Sequence, residues 1–185
     1  MIRLAGPTFE DILQTGYVTR WHTKPMACPQ TLADHLAKVA LLADRLGRHL
    51  LDRYDEAMAH DTLLWALHHD MPETEHGDIP NPAKRWLDAH LIRRYDEMVE
   101  ETWWHERGEG EPQPSDLAVA LVRVADILEA ATRFWTFGLD EAVKTQLVFE
   151  AVAVTRKVLP ELLPVVTEAL AAAGVSDALL AEVAA

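Results

Sequence analysis

The chain has 185 residues, the length of one domain with a sizeable core, and its 49% hydrophobic and 25% charged residues are typical of a globular protein. Its 30 acidic residues outnumber 17 lysines and arginines, and the net charge of −13 argues against binding a nucleic acid polymer. No uncharged run approaches the roughly 18 residues that a membrane span requires. The N-terminus lacks the apolar core of a secretory signal, and the single cysteine, Cys28, can form no internal disulfide. We therefore expect a cytoplasmic protein with no membrane partner.

Helical periodicity dominates the sequence, and alternating strand patterns are absent. We predict an all-α fold with one core, in a single domain over residues 1–185. In chain order, the predicted helices lie in PTFEDILQTG, TLADHLAKVALLADRLGRHLLD, DEAMAHDTLLWALHH, KRWLDAHLIRRYDEMVEETWWHER and SDLAVALVRVADILEAATRFW, then around 140–159 and 161–173, before a short last helix.

The helix boundaries carry local signals. Thr31 is the predicted N-cap of the second helix, with Asp34 at the capping-box position, and Ser115 caps the helix that follows the linker GEGEPQPS. Pro72 ends the third helix, and the acidic segment 71–82 is predicted to be a stiff, irregular loop because it contains three prolines.

A pair of tryptophans raises the question of a subunit interface. Trp103 and Trp104 are adjacent on a predicted amphipathic helix, so the periodicity does not allow both to face one core. We expect one of them to be half-exposed or to lie at an interface between subunits.

Four residues in chain order could hold a metal: His35, the pair His69-Asp70, and Asp126. Asp126 lies at the edge of the core-facing side of its helix, where an unpaired carboxylate would cost several kcal/mol and a divalent cation would supply the partner. Two imidazoles and two carboxylates suit a transition metal with open positions for water and substrate. Each residue alone is weak evidence, and Asp126 could instead pair with Arg123. The ordered set on three helices beside an acidic loop is much stronger.

These segments resemble a known family. RWHTKP (20–25), QTLADHLAKVALLA (30–43), LHHDMPETEHGDIPNPAK (67–84) and VRVADILEA (122–130) are similar, in order and spacing, to HD-domain metal-dependent phosphohydrolases, in the compact branch of bacterial 5′-deoxynucleotidases and phage dATP triphosphohydrolases. Asp34 and Leu36 depart from that branch, which usually has Glu and often Ser at these positions. The expected fold is an HD-domain helical bundle.

The resemblance implies that His35, His69, Asp70 and Asp126 bind one divalent metal, which could be Zn, Co, Mn, Fe or Mg. It also implies that Glu73 and Asp78 are catalytic acids that do not bind the metal. One would orient or deprotonate water while the other protonates the departing 5′ oxygen. The implied substrate contacts are Arg20 and Trp21, with Thr23, Pro82, Lys84 and Arg123.

The leading functional hypothesis is hydrolysis of the 5′-phosphate ester of a 2′-deoxynucleotide. We slightly favour release of triphosphate from a dNTP, above all dATP, over release of orthophosphate from a dNMP. A nucleotide-sensing HD protein without activity is a third possibility, but Glu73 and Asp78 are both present, which argues against it. The resemblance further implies a homo-oligomer, a dimer or a hexamer, in the cytoplasm of a bacterial cell or a phage-infected host.

Overall fold

The computed structural model describes residues 6–79, 101–106 and 113–184. Regular structure there is almost entirely helical, which confirms the all-α prediction. Residues 101–106 are helical, and 3₁₀ turns cover Arg48–Arg53 and Pro160–Leu162. The α-helices are α1 (Phe9–Gln14), α2 (Leu32–Gly47), α3 (Glu56–His68), α4 (Glu73–His76), α5 (Asp116–Phe137), α6 (Glu141–Val158), α7 (Leu163–Ala172) and α8 (Asp177–Ala184).

The main core surrounds α5, which packs against α2, α3, α6 and α7. Six apolar residues at helical spacing form one stripe along α2, and all of them are buried apart from the half-buried Leu42: Leu32, Leu36, Val39, Leu42, Ala43 and Leu46. The part of this stripe from Val39 to Leu46 lies in the same core cluster as a row of buried side chains on α5: Leu121, Ala125 and Leu128. Burying apolar side chains at helical spacing stabilises such a bundle by roughly 25 cal/mol per Å² removed from water. That one domain spans residues 1–185 remains a prediction.

Both predicted caps form. Thr31 accepts a hydrogen bond from the Asp34 amide at 3.2 Å, and Ser115 accepts one from the Ala118 amide at 3.2 Å. The reciprocal half of the capping box on α2 was predicted wrongly, because the Asp34 carboxylate instead accepts hydrogen bonds from Lys38 and Arg133.

A short antiparallel hairpin precedes α2. Strand β1 (Thr19–Arg20) pairs with β2 (Gln30–Thr31), and the register places Arg20 opposite Gln30. Two residues per strand are too few for an alternating pattern to appear in the sequence. The hairpin matters because it ties the segment of Arg20 and Trp21 to the start of α2.

The expectation for the two tryptophans was wrong. Trp103 and Trp104 are both 2% exposed, and they share one small cluster with Leu32, Leu36 and Met71. Their ring centroids lie 4.8 Å apart with an angle of 83° between the planes, an edge-to-face pair that lets adjacent residues pack in one cluster.

The acidic loop is partly helical, which corrects the prediction for 71–82. Glu73–His76 forms the single turn α4, with Pro72 at its N-cap, and residues 77–79 follow without regular structure. Residues 80–82, most of the predicted helix that starts at Lys84, and most of the GEGEPQPS linker lie outside the described residues. Among the helices that the structure describes, none has the length and apolar composition needed to cross a membrane.

Gly47 provides a test of the packing at the end of α2. A Cβ atom at this position would lie 2.2 Å from Cε2 of Tyr54, whose hydroxyl donates to Asp44 Oδ1 at 3.2 Å and so holds the ring in place. We expect Gly47→Ala to lower the free energy of unfolding by about 1–3 kcal/mol, measured by urea denaturation. The control is Gly16→Ala, whose Cβ would meet no atom closer than 3.5 Å. Equal stability of the two variants would contradict the predicted clash.

Candidate active site

His35 lies on the buried face of α2 with no exposed surface. Its Nδ1 is 3.0 Å from Glu129 Oε2 on α5. Its Nε2 lies 3.3 Å from Asp70 Oδ2 and 3.4 Å from Asp126 Oδ1, yet it makes no hydrogen bond. A buried imidazole nitrogen that makes no hydrogen bond and faces two carboxylates is in the position expected of a metal-binding nitrogen.

His69 repeats this arrangement at the end of α3. Its Nδ1 donates to the carbonyl oxygen of Ala66 at 2.9 Å, which fixes the lone pair on Nε2. That Nε2 is buried, makes no hydrogen bond, and lies 3.5 Å from Asp70 Oδ2. Because Asp70 follows directly after the helix end, its carboxylate can turn back toward both imidazoles.

The residues present fit a divalent cation. Ligand atoms of His35, His69 and Asp70 all lie within 4.8 Å of one another. Atoms that share one cation at about 2.0–2.2 Å lie roughly 3.0–3.5 Å apart. The measured nitrogen–oxygen separations of 3.3, 3.4 and 3.5 Å fall in this range. The structure thus brings together all four residues that the sequence singled out, with Asp126 on the more open side.

Arg20 closes the site from strand β1. One of its terminal nitrogens, Nη1, lies 2.6 Å from Asp70 Oδ2 and 3.3 Å from Glu73 Oε2, and its side chain is only 14% exposed. Burial works against the charged guanidinium, but Asp70 and Glu73 outweigh this and raise the pKa of Arg20. The arginine therefore stays charged beside both acidic side chains.

The site is short of positive charge. Burial lowers the pKa of His35, but the carboxylates of Asp70 and Glu129 outweigh it and raise that pKa to about 9. Burial, and then the charge of Asp70, raise the pKa of Glu73 to about 8. Burial would also raise the pKa of Asp70, but the charges and contacts of His69, His35 and Arg20 hold it well below its usual range. Groups that retain extra protons mark an acidic pocket, and a bound cation would relieve this excess.

The two candidate acids lie next to this cluster. Glu73 is the first residue of α4, and its amide donates to the carbonyl oxygen of Asp70 at 2.9 Å, so the turn holds the two residues side by side. Asp78 is half-buried and follows Gly77, whose φ of 76° is a conformation that glycine adopts readily. The charge of Asp78 acts on both Arg20 and Glu73.

The comparisons with known proteins agree with this geometry. A family described as 5′-deoxynucleotidase YfbR-like matches residues 8–109, more than half of the chain. The chain is a YfbR-like HD phosphohydrolase. It is therefore an enzyme, and the alternative of a sensor without activity falls away.

Individual relatives of this phosphohydrolase include phage proteins. The chain is 33% identical over 145 residues to a dATP triphosphohydrolase of Salmonella phage PMBT28, covering 76% of this chain and 72% of the relative. It is 28% identical over 147 residues to a dATP triphosphohydrolase of Acinetobacter phage SH-Ab 15497, covering 71% and 68%. Each match omits about a third or less of either chain.

A solved structure confirms the HD-domain fold. The cyanophage S-2L HD phosphohydrolase DatZ, bound to dA and one catalytic Zn²⁺ ion, superposes with a TM-score of 0.73, although the two sequences are 20% identical. The superposition covers 91% of this chain and 97% of the other.

The structure describes three of the other predicted substrate contacts of this YfbR-like phosphohydrolase. Trp21 follows Arg20 and packs its ring 5.2 Å from that of Phe134, while Thr23 is exposed. Arg123 is exposed on α5, and within the described part of the chain it forms no ion pair with Asp126. The predicted contacts Pro82 and Lys84 lie outside the described residues.

Two buried residues behind the site were missed from the sequence. Glu129 accepts from His35 Nδ1 and Gln30 donates to Glu129, yet neither was predicted to have a role. A signal existed for Glu129: it lies three residues after Asp126, on the same face of α5, so the two carboxylates can reach the same imidazole. No comparable signal marks Gln30, because its contact spans 99 residues of sequence.

Proposed function

We propose that this enzyme hydrolyses the 5′-phosphate ester of 2′-deoxynucleotides, with dATP as the favoured substrate and triphosphate as the product. The observation that carries the proposal is the convergence of His35, His69, Asp70 and Asp126, with two buried imidazole nitrogens left without hydrogen bonds. The names of the two phage relatives support the choice of dATP.

The reaction breaks the bond between the α-phosphorus and the 5′ oxygen. Water supplies the new oxygen on phosphorus, and the 5′ oxygen gains a proton, so dATP and water give deoxyadenosine and triphosphate. A divalent cation held by the four residues would supply Lewis-acid chemistry, withdrawing charge from phosphate and lowering the pKa of a water. The mixed nitrogen and oxygen ligands suit Zn, Co, Mn, Fe and Mg, so they do not select one of these metals.

The surrounding side chains would position and move protons. Glu73 and Asp78 are the two acids on the loop side of the site, and in this proposal one orients or deprotonates the attacking water while the other protonates the 5′ oxygen. Arg20 keeps its charge there, and its guanidinium is suited to a phosphate oxygen. Its contacts with Asp70 and Glu73 hold the guanidinium at the site before substrate arrives.

The nucleoside would lie beside the loop after β1. Trp21 and Thr23 belong to that loop, and we propose that they contact the base or the deoxyribose. Pro82, Lys84 and Arg123 stay predicted contacts for the base and the phosphates. The homo-oligomer, a dimer or a hexamer, and the cytoplasmic setting in a bacterium or phage-infected host likewise stay predictions.

The second candidate is a dNMP 5′-deoxynucleotidase that releases orthophosphate, and the description of the family that matches residues 8–109 gives it weak support. Both reactions cleave an ester at the 5′ oxygen and can use the same residues. They differ in how much phosphate the site must hold beyond the α-phosphorus.

The products separate the two candidates. With Mn²⁺ or Co²⁺ present, we expect dATP to yield deoxyadenosine and triphosphate with a higher kcat/KM than dAMP, measured by ion-exchange chromatography. The same preparation of Asp126→Ala controls for contaminating phosphatases. Faster release of orthophosphate from dAMP would select the second candidate, and no turnover of either substrate would reject both.

A further inference from the structure

A chain of three hydrogen bonds, of which the last two are buried, joins the loop after β1 to His35. The indole Nε1 of Trp21 donates to Gln30 Oε1 at 3.2 Å, and Gln30 Nε2 donates to Glu129 Oε1 at 2.8 Å. The other oxygen of Glu129 lies 3.0 Å from His35 Nδ1. Gln30, Glu129 and His35 are at most 2% exposed, so water does not offer them other partners.

The direction of every bond in this chain is determined. An indole N–H can only donate, so Gln30 must present its carbonyl oxygen to Trp21 and its amino group to Glu129. The Glu129 carboxylate can accept at both of its oxygens, from Gln30 at one and from His35 at the other. His35 must therefore donate through Nδ1, so that the neutral ring, which is the form that binds a cation, has its lone pair on Nε2, facing Asp70 and Asp126.

We propose that Glu129 and Gln30 are positioning residues that set the tautomer of His35 and link the backbone-strained loop of Trp21 to the metal centre. Trp21 has a φ of 62°, a left-handed conformation that costs a bulky residue roughly 1–3 kcal/mol and needs support. Its hydrogen bond to Gln30 and its ring contact with Phe134 supply that support. The inference rests on the proposed function in taking His35 as a metal ligand.

Glu129→Gln breaks this arrangement with almost no change in shape. An amide offers one acceptor and one donor, so the substituted chain has two choices. If the amino group faces His35, then Nδ1 must accept and Nε2 carries the hydrogen, which prevents metal binding. If the carbonyl faces His35, Gln30 must flip and two donors meet at the Trp21 indole.

A double substitution restores the pattern. In Gln30→Glu/Glu129→Gln, the carboxylate at position 30 accepts from both Trp21 and the amide at position 129. That amide then presents its oxygen to His35 Nδ1. The net charge and the set of side chains are those of the original protein. The double variant therefore tests the direction of the hydrogen bonds separately from the presence of a carboxylate.

The test measures metal affinity rather than turnover. We expect Glu129→Gln to bind Co²⁺ about 10- to 100-fold more weakly than the original chain. Binding is measured by titration with Co²⁺ while its visible absorption is recorded. The double variant should recover most of this loss. Glu141→Gln, an exposed glutamate on α6, is the matched control and should bind Co²⁺ like the original chain.

Each outcome decides the matter. Unchanged affinity in Glu129→Gln overturns the inference, and so does a double variant no better than the single one. If Glu129→Gln does not fold, the double variant decides alone: wild-type affinity supports the inference, while weak binding or failure to fold overturns it. An original chain that binds no Co²⁺ would instead reject the proposed function.

Discussion

Asp126→Ala is expected to abolish hydrolysis while leaving the protein folded. Asp126 is the more exposed of the two predicted metal-binding carboxylates, with a side chain that is 42% exposed. Its contact with the other predicted ligands is the 3.4 Å approach of Oδ1 to His35 Nε2. Removing it takes away one ligand and little packing. Because a held cation lowers the pKa of water from about 15.7 to about 7, we expect a loss of on the order of 10⁴-fold in kcat/KM.

Three measurements on one preparation check this. Turnover of dATP should vanish, the melting temperature without added metal should stay near that of the original chain, and the rise in melting temperature on adding Mn²⁺ or Co²⁺ should disappear. Asp52→Asn, an exposed aspartate in the 3₁₀ turn after α2, is the matched control. Full turnover in Asp126→Ala would remove this residue from the metal site.

Asp70→Ala should give the same loss of activity, but with a second effect. Asp70 Oδ2 also lies 2.6 Å from Arg20. Of the ion pairs that Arg20 forms with described residues, only the 3.3 Å contact with Glu73 would then remain. Leaving a buried charge partly unpaired costs stability. The difference in melting temperature between the two variants therefore separates the ligand role of Asp70 from its ion pair.

The sequence predicts what depends on nearby residues. The apolar spacing in α2 and α5, the caps at Thr31 and Ser115, and the end of α3 near Pro72 are all local, and the structure agrees with them. His69 and Asp70 are neighbours, so their shared position follows from the helix end alone. The fold could be predicted because periodicity and capping act within a few residues.

Contacts between distant segments could not be predicted in this way. Arg20 reaches Asp70 across 50 residues, and Gln30 reaches Glu129 across 99, distances at which spacing carries no signal. The side-by-side burial of Trp103 and Trp104 depends on the angle between two rings, which no periodicity encodes. Helical spacing alone does not bring three helices together. The gathering of His35, His69, Asp70 and Asp126 was predicted from their residue types and their places on three helices, and the resemblance implied the same set.

Glu73→Gln should separate catalysis from metal binding. Glu73 lies beside Asp70 but contacts Arg20 rather than the imidazoles, which is the placement of an acid that acts on water or on the 5′ oxygen. An amide keeps the shape and can still accept from Arg20, but it cannot exchange a proton at neutral pH. We expect kcat to fall by about 10²–10⁴-fold, the usual contribution of a general acid or base.

Metal affinity is the measurement that gives this result its meaning. Glu73→Gln should bind Co²⁺ nearly as well as the original chain, whereas Asp126→Ala should not, so the two variants lose the same activity for different reasons. Glu75→Gln, an exposed position in the same helical turn, should retain both activity and binding. Loss of Co²⁺ binding in Glu73→Gln would make Glu73 a ligand, and wild-type turnover would leave Asp78 as the acid that the reaction requires. Because the neighbouring Asp70 and Arg20 are untouched, neither outcome could be assigned to a collapsed site.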